Sequence, residues 1–237
     1  MNKSMLRNLA LFVALTTPLP AIFGSEFHED FTDGLGAYTA AVLLGAHRNH
    51  VTEWETVDGA LRINTSEADP DDPTGAMQHF LSRTDVRLKV GFEWRAAFSP
   101  DFTGPNDIGV AVGAHQTIRR DFIHVHTRSD GRVFSRGLDG GSPFPLVSAD
   151  ADHNFDTLFI ARIEENVFEL GYYDGDVRTV IVTREMSSAD VGNAIGFYAD
   201  VRGAGVLGAF TSATLHRPDI GTLLELSQVR IGSSPDA

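Results

Sequence analysis

Arg87-Leu-Lys-Val-Gly-Phe-Glu-Trp-Arg-Ala-Ala-Phe98 is the stretch that decides the fold. Leu88, Val90, Phe92, Trp94, Ala96 and Phe98 fall on one side, and Arg87, Lys89, Glu93 and Arg95 on the other. Only an extended chain sends every second side chain to one face, so the spacing predicts a half-buried β-strand with Trp94 at the centre of its apolar side. Segments of the same kind recur along the chain, punctuated by Gly, Asp and Pro. Short strands at such spacing make an all-β sandwich or barrel.

Working outward, Trp54 to Ile63 reads as a hairpin turning at Asp58-Gly59, the dipeptide whose positive φ angles suit the twist of paired strands. His28 to Phe31 reads as a short first strand, and Met77 to Arg83 as another. The stretch from Ala40 to His50 is ambiguous between loop and strand. Ile108-Gly-Val-Ala-Val-Gly-Ala114 packs branched residues on one face and keeps the other low, as beneath a ligand or a close neighbouring strand. Phe122 to Arg128 and Val133 to Arg136 form a hairpin about Ser129-Asp-Gly131. Leu158 to Ile163, Val167 to Tyr173 and Val177 to Thr183 follow as a meander. Ser187 to Asp190 suggests one serine-capped helical turn. Ile195 to Val201 and Leu226 to Ile231 complete the strands, and Gly203-Ala-Gly205 reads as a loop.

The chain has 237 residues, and a sandwich of that size is commonly one domain. Nineteen Lys plus Arg against 32 Asp plus Glu give a net charge of -13. So acidic a surface repels phosphate backbones and anionic lipid, which argues against nucleic acid and membrane surfaces as partners. There is no cysteine, hence no disulfide framework, lipidated cysteine or thiolate metal site. Lys3 and Arg7 followed by the apolar run Leu9 to Leu15, too short to span a bilayer, read as an export signal over residues 1–25. Cleavage is expected after Ala21, Gly24 or Ser25; the other reading is an uncleaved N-terminal anchor. Residues 26–232 then form the sandwich domain, 233–237 a polar tail, and the protein is expected to be secreted or periplasmic in a bacterium, free of the membrane once cleaved.

Asp30-Phe31-x-x-Gly34-Leu35 followed by Trp54-x-x-Val57-Asp-Gly-Ala-Leu-Arg-Ile63, the strand around Phe92-Glu-Trp-Arg95, and Asn154 to Ile160 running into Val167 to Gly175 resemble the concanavalin A-like lectin/glucanase superfamily, the laminin-G-like jelly roll. Phe155 and Asp156 stand where that pattern has Trp and His. Leu226 to Ile231 resembles its closing strand, which returns beside the first. The resemblance implies a two-sheet antiparallel jelly-roll sandwich, one face of which binds or cuts glycans in many relatives. Glycanases of this fold carry a Glu-x-Asp-x-x-Glu pattern on one strand; it is absent here, and Glu53-Trp-Glu55 and Glu164-Glu165 read better as strand edge and turn.

Among chemical candidates, His124-Val-His126 stands out, because a strand aims both imidazoles the same way with Arg128 next on that side. With His115, Arg119 and Arg120 nearby in sequence, these residues form a basic island suited to an anionic or hydroxyl-rich sugar. The bland alternative is a pair of solvent-facing histidines. Asp150, Asp152, Asn154 and Asp156 place oxygens at every second position, as in part of a calcium loop, although the glycine and terminal glutamate of an EF-hand are missing. Asp69, Asp71 and Asp72 form a second oxygen-rich loop, and turn chemistry alone also favours Asp and Asn in both. Glycan recognition is the function expected. Its rivals are a glycan-active enzyme, a polysaccharide lyase or keto-sugar hydrolase working through the His/Arg face, and a purely structural extracellular domain.

Overall fold

The computed structural model describes residues 26–43, 50–67, 78–100, 106–116, 120–201 and 205–217. The export signal, the Asp69 to Asp72 loop, Arg119 and the strand expected at Leu226 to Ile231 lie outside them. Among the described residues there are strands and no helix.

The first sheet holds β1 (Phe27–Glu29), β3 (His50–Val57), β4 (Ala60–Glu67), β6 (Phe92–Pro100), β12 (Thr157–Arg162), β13 (Val167–Asp174), β14 (Val177–Glu185) and β16 (Gly205–His216). Its order is β14-β13-β12-β6-β16-β4-β3, with β1 also against β16. The second holds β2 (Thr39–Leu43), β5 (Gln78–Arg83), β7 (Asp107–Gly113), β8 (Phe122–Arg128), β9 (Arg132–Asp139), β10 (Ser142–Pro143), β11 (Val147–Asp150) and β15 (Ala194–Asp200), in the order β10-β9-β8-β7-β15-β5-β2, with β11 also on β9. The pairings are antiparallel. Strands neighbouring in space are often distant in sequence, which is the jelly-roll topology.

Between the sheets lies one apolar layer. Phe92, Trp94, Ala96 and Phe98 enter it from β6, Ile123 and Val125 from β8, and Ile195, Phe197 and Ala199 from β15. Trp94 is fully buried, meets Phe197 edge-on at 5.8 Å, and donates its indole N–H across the sandwich to the Gly196 carbonyl at 3.1 Å. A buried indole N–H needs such a partner, so this residue is tied to both sheets. Strand β6 starts later than the alternation suggests. The chain turns at Lys89 to Gly91, where Gly91 takes φ 80 and the Phe92 N–H bonds the Lys89 carbonyl, leaving Val90 51 % exposed.

At one edge the two sheets are joined by charge. Arg83 of β5 meets Glu29 of β1 at 3.0 Å and holds Asp85 with two further bonds. Its guanidinium lies 4.4 Å from the centre of the Phe27 ring and 5.0 Å from that of Tyr38. The Asp58-Gly59 turn forms as expected, with φ 52 and 73 at its two central residues. Ser187 to Asp190 is not helical: Ser188 Oγ accepts the Asp190 N–H in a non-helical turn before β15. A long strand, β16, pairs with β1.

Candidate functional site

Alternation along β8 sends Ile123 and Val125 into the core and Phe122, His124, His126 and Arg128 to the outer face of the second sheet. The neighbouring strands fix what these side chains meet. On β7 the matching positions are Asp107, Gly109, Ala111 and Gly113. Beyond it β15 supplies Gly196, Tyr198 and Asp200, and on the other flank β9 supplies Arg132, Phe134 and Arg136. The central strand thus presents almost no side chain, and the rings of its neighbours lean over it. His124 stacks on Tyr198 with ring centres 3.9 Å apart, His126 on Phe134 at 5.4 Å, and Phe122 on His124 at 5.7 Å.

The low strand read from the sequence is therefore present, but the two histidines are not on an open surface. Each is 2 % exposed. Their Nδ1 atoms are 3.1 Å apart, a contact that is attractive only if one of them carries a proton. Burial, with His126 and Arg136 beside it, holds His124 well below the ordinary imidazole range. His124 is thus neutral at neutral pH.

Asp107 lies beside the pair. Arg128 grips it with two bonds, Nε to Oδ1 at 2.6 Å and Nη2 to Oδ2 at 3.0 Å. His126 Nε2 is 3.3 Å from Oδ2, off the hydrogen-bond direction. Burial pushes the Asp107 carboxyl up, but His126 and Arg128 outweigh it and keep it ionised, below the usual carboxylate range. Asp200 stands directly opposite Asp107 across β7 and β15, and both are buried. No pattern along one strand announces this pair, because its members are cross-strand neighbours from distant segments.

Above this layer is a ridge of cations. The Arg128 side chain is 26 % exposed; Arg132 and Arg136 are exposed and occupy alternate outward positions on β9. Phe134 sits between Arg128 at 4.3 Å and Arg132 at 5.1 Å from its ring centre. Arg132 also donates to Ser148 Oγ at 2.9 Å. Asp150 faces Arg132 in register, yet its side chain accepts the Asp152 N–H at 3.3 Å, and no ion pair with Arg132 forms. The expected trio of His124, His126 and Arg128 is brought together, with the imidazoles beneath and the guanidinium at the surface.

His115 is not part of that cluster. It is exposed beyond the end of β7 and lines a separate open cavity of about 390 Å³ with Arg87, Gln116 and Asn193. The expected calcium ligands do not converge. Asp156 accepts from the Thr157 hydroxyl at 2.7 Å and the Gly175 N–H at 3.2 Å, while Asp150 caps the turn through Asp152 and His153, both at positive φ. These are the local bonds by which Asp stabilises turns. Among the described residues no group of three or more His, Cys, Asp or Glu could hold a metal ion.

No protein-family model matches the sequence, and neither does any curated protein. Solved structures do match the fold. A β-1,3-1,4-glucanase (lichenase) derived from a mouse hindgut metagenome is similar at TM-score 0.55 and 12 % identity, over 81 % of this chain and 98 % of that one. The Bacillus licheniformis β-glucanase gives 0.54 and 11 %, over 81 % and 98 %. A legume lectin-like domain from Entamoeba histolytica gives 0.51 and 10 %, over 73 % and 91 %. The fold is the concanavalin A-like jelly roll, shared by lectins and glucanases. Identity this low carries fold and not chemistry.

Proposed function

We propose that this protein recognises an anionic glycan, one bearing uronate or sulfate groups, on the outer face of β8 and β9. The observation that carries the reading is the ridge of Arg128, Arg132 and Arg136 on one face of a protein whose net charge is -13. A guanidinium presents paired donors that match a carboxylate or sulfate, and Arg132 and Arg136 are exposed enough to do so. Arg128 is held rigid by Asp107, and the two histidines fill the layer beneath. In this reading His124 and His126 are positioning residues; they do not touch the sugar. Recognition is favoured over catalysis because the groups with the chemistry of an acid or base, His124, His126, Asp107 and Asp200, are all buried. The lectin and glucanase neighbours share the scaffold on which such a site sits. The Lys3/Arg7 charge and the apolar run behind it support action outside the cytoplasm.

Titration calorimetry with oligogalacturonate and with a neutral gluco-oligosaccharide of the same length tests the proposal. Heat is expected from the anionic oligomer, weakening as salt is raised, with loss of binding in the Arg132→Glu, Arg136→Glu double variant. Both changes are at exposed positions, where substitutions usually alter stability by less than about 0.5 kcal/mol. Unaltered binding of the uronate by that variant, or no binding by the parent protein, overturns the reading.

A further inference from the structure

The outer face of the first sheet carries a second constellation. A cleft of about 340 Å³ opens there, near the lower end of the range for small-molecule sites. Its floor is a cross-strand row of small side chains, Ser212 of β16, Ala97 of β6 and Thr157 of β12. Thr214 and Arg95 form the next row. Tyr173 makes one wall, and the β13–β14 turn at Gly175-Asp176 closes the rim.

Beneath one wall lies a carboxylate that the alternation assigns to solvent. Glu93 is 0 % exposed. Tyr173 donates its hydroxyl to Glu93 Oε1 at 2.7 Å, Arg178 donates Nε to Oε2 at 2.9 Å, and Arg95 pairs with Oε1. Arg95 also donates Nη2 to the Tyr173 hydroxyl at 2.6 Å and lies 4.3 Å from the centre of its ring. Arg178 continues to Glu169 at 2.9 Å and covers Phe159 at 4.1 Å. A buried carboxylate is costly unless its oxygens are satisfied, and here each is. The result is that Arg95 and Tyr173 have their rotamers fixed from below, as the contact residues of a binding site require. An arginine has more donors than these bonds use, and the hydroxyls of Ser212, Thr157 and Thr214 line the cleft beside it.

The geometry points to this cleft as a second ligand site, one that takes a neutral polyhydroxylated ring, a single sugar unit or a disaccharide. The charge decides the class. Glu93 and Glu169 offset Arg95 and Arg178, and Asp176 at the rim adds a negative charge, so an anion gains nothing here. Hydroxyls, which both donate and accept, match a lining of Ser, Thr, Arg and Asp. The site is on the opposite sheet from the Arg128, Arg132, Arg136 ridge, takes an uncharged rather than an anionic ligand, and does not rest on it.

Amide chemical-shift mapping with neutral disaccharides (cellobiose, maltose, lactose and laminaribiose) on the whole protein tests it. Saturable shifts are expected at Ala97, Thr157, Gly175, Asp176 and Ser212 for at least one sugar, with Kd in the millimolar range. Ala97→Phe, which fills the floor from a partly exposed position, should weaken that binding by at least about tenfold, the loss of roughly one decade in Kd. Should that variant not fold, Ser212→Tyr fills the same floor from the next strand. The Arg132→Glu, Arg136→Glu variant should keep the shifts, which separates this site from the other. No saturable shift at those amides with any of the four sugars, or binding unchanged when the floor is filled, overturns the proposal.

Discussion

His124→Asn should flatten the pH dependence of folding stability between pH 7.5 and 5.5. His124 is buried, stacked on Tyr198, and flanked by His126 on its own strand and Arg136 on β9, with Asp107 of β7 beyond His126. Its folded pKa lies well below the ordinary value, so the native protein keeps it neutral while the unfolded chain takes up a proton near pH 6.5. The unfolded state then binds more protons, and stability is lost as pH falls through 6.5. One such site costs almost nothing at pH 7.5 and about 1.4 kcal/mol at pH 5.5. Asn keeps a polar atom near the Nδ1 position, cannot titrate, and lowers stability by a pH-independent amount through lost stacking. Urea unfolding of both proteins at the two pH values removes that offset, and every remote histidine cancels in the double difference. His126 is the ring in direct contact with the changed side chain, so the same cycle is run on a His126→Asn background. A double difference of about 1.4 kcal/mol is expected in both. Parallel stability curves for wild type and variant would refute the reasoning, since they mean that His124 titrates normally and is not held in a dry layer.

Trp94→Ala should cost about 3–5 kcal/mol, the usual range for a large core aromatic, by urea unfolding. Trp94→Phe should still cost about 0.5–1.5 kcal/mol, because it removes the bond that joins the two sheets through the Gly196 carbonyl; a melting temperature equal to wild type for either change would show the faces of β6 to be reversed. Gly109→Ala should destabilise by at least about 2 kcal/mol despite adding one methyl group. A Cβ there would lie 2.0 Å from the Val125 carbonyl oxygen and 2.6 Å from His126 Cα, so strand β8 must move; an unchanged urea midpoint would count against that register.

Much of the scaffold is legible because half-buried strands declare themselves. The Phe92 to Phe98 alternation, the Asp58-Gly59 turn and the low strand at Ile108 to Gly113 all stand in the structure as the residues indicate. The misses have physical causes. Strand β16 is central to its sheet yet unreadable, since its register shifts between Val206 and Gly208 and again between Phe210 and Ser212. Each irregularity breaks the period of two on which the reading depends. The extension of β6 back to Arg87 fails because Leu88 is buried for a different reason: it is held by a bond from its N–H to the Gly192 carbonyl after the chain has left the sheet.

The site was legible in part. Alternation places His124, His126 and Arg128 on one face, and they are on one face. What alternation cannot report is depth, since a polar residue opposite the core can be solvated or can lie under its neighbours. Glu93, Asp107 and both histidines belong to the second kind. A single strand also hides partners that arrive from elsewhere in the chain, such as Asp200 beside Asp107, or Tyr173 and Arg178 around Glu93.

The two outer faces share one construction. In each, a buried carboxylate, Asp107 or Glu93, holds a partly exposed arginine, Arg128 or Arg95, that lies against an aromatic ring. Such a cluster is a poor stabiliser: replacing a buried ion pair by apolar residues of similar volume is often neutral or favourable. A sheet face that only had to stay soluble would keep its charges in water. What the construction does achieve is orientation, because an arginine locked from beneath loses less conformational entropy when it meets a ligand. The difference between the faces is what remains after the internal pairing. On β8 and β9 two further guanidiniums, Arg132 and Arg136, stand exposed, and neither is paired with a buried carboxylate as Arg128 is with Asp107. On the first sheet Arg178 is matched by Glu93 and Glu169, and hydroxyls line the floor. The ligands proposed for the two faces follow this difference, a charged chain on one and an uncharged ring on the other. A charge reversal on the ridge and a filled floor in the cleft should accordingly be independent: each variant loses one class of sugar and keeps the other, and a single change that abolishes both would mean that the sheets do not act as separate surfaces.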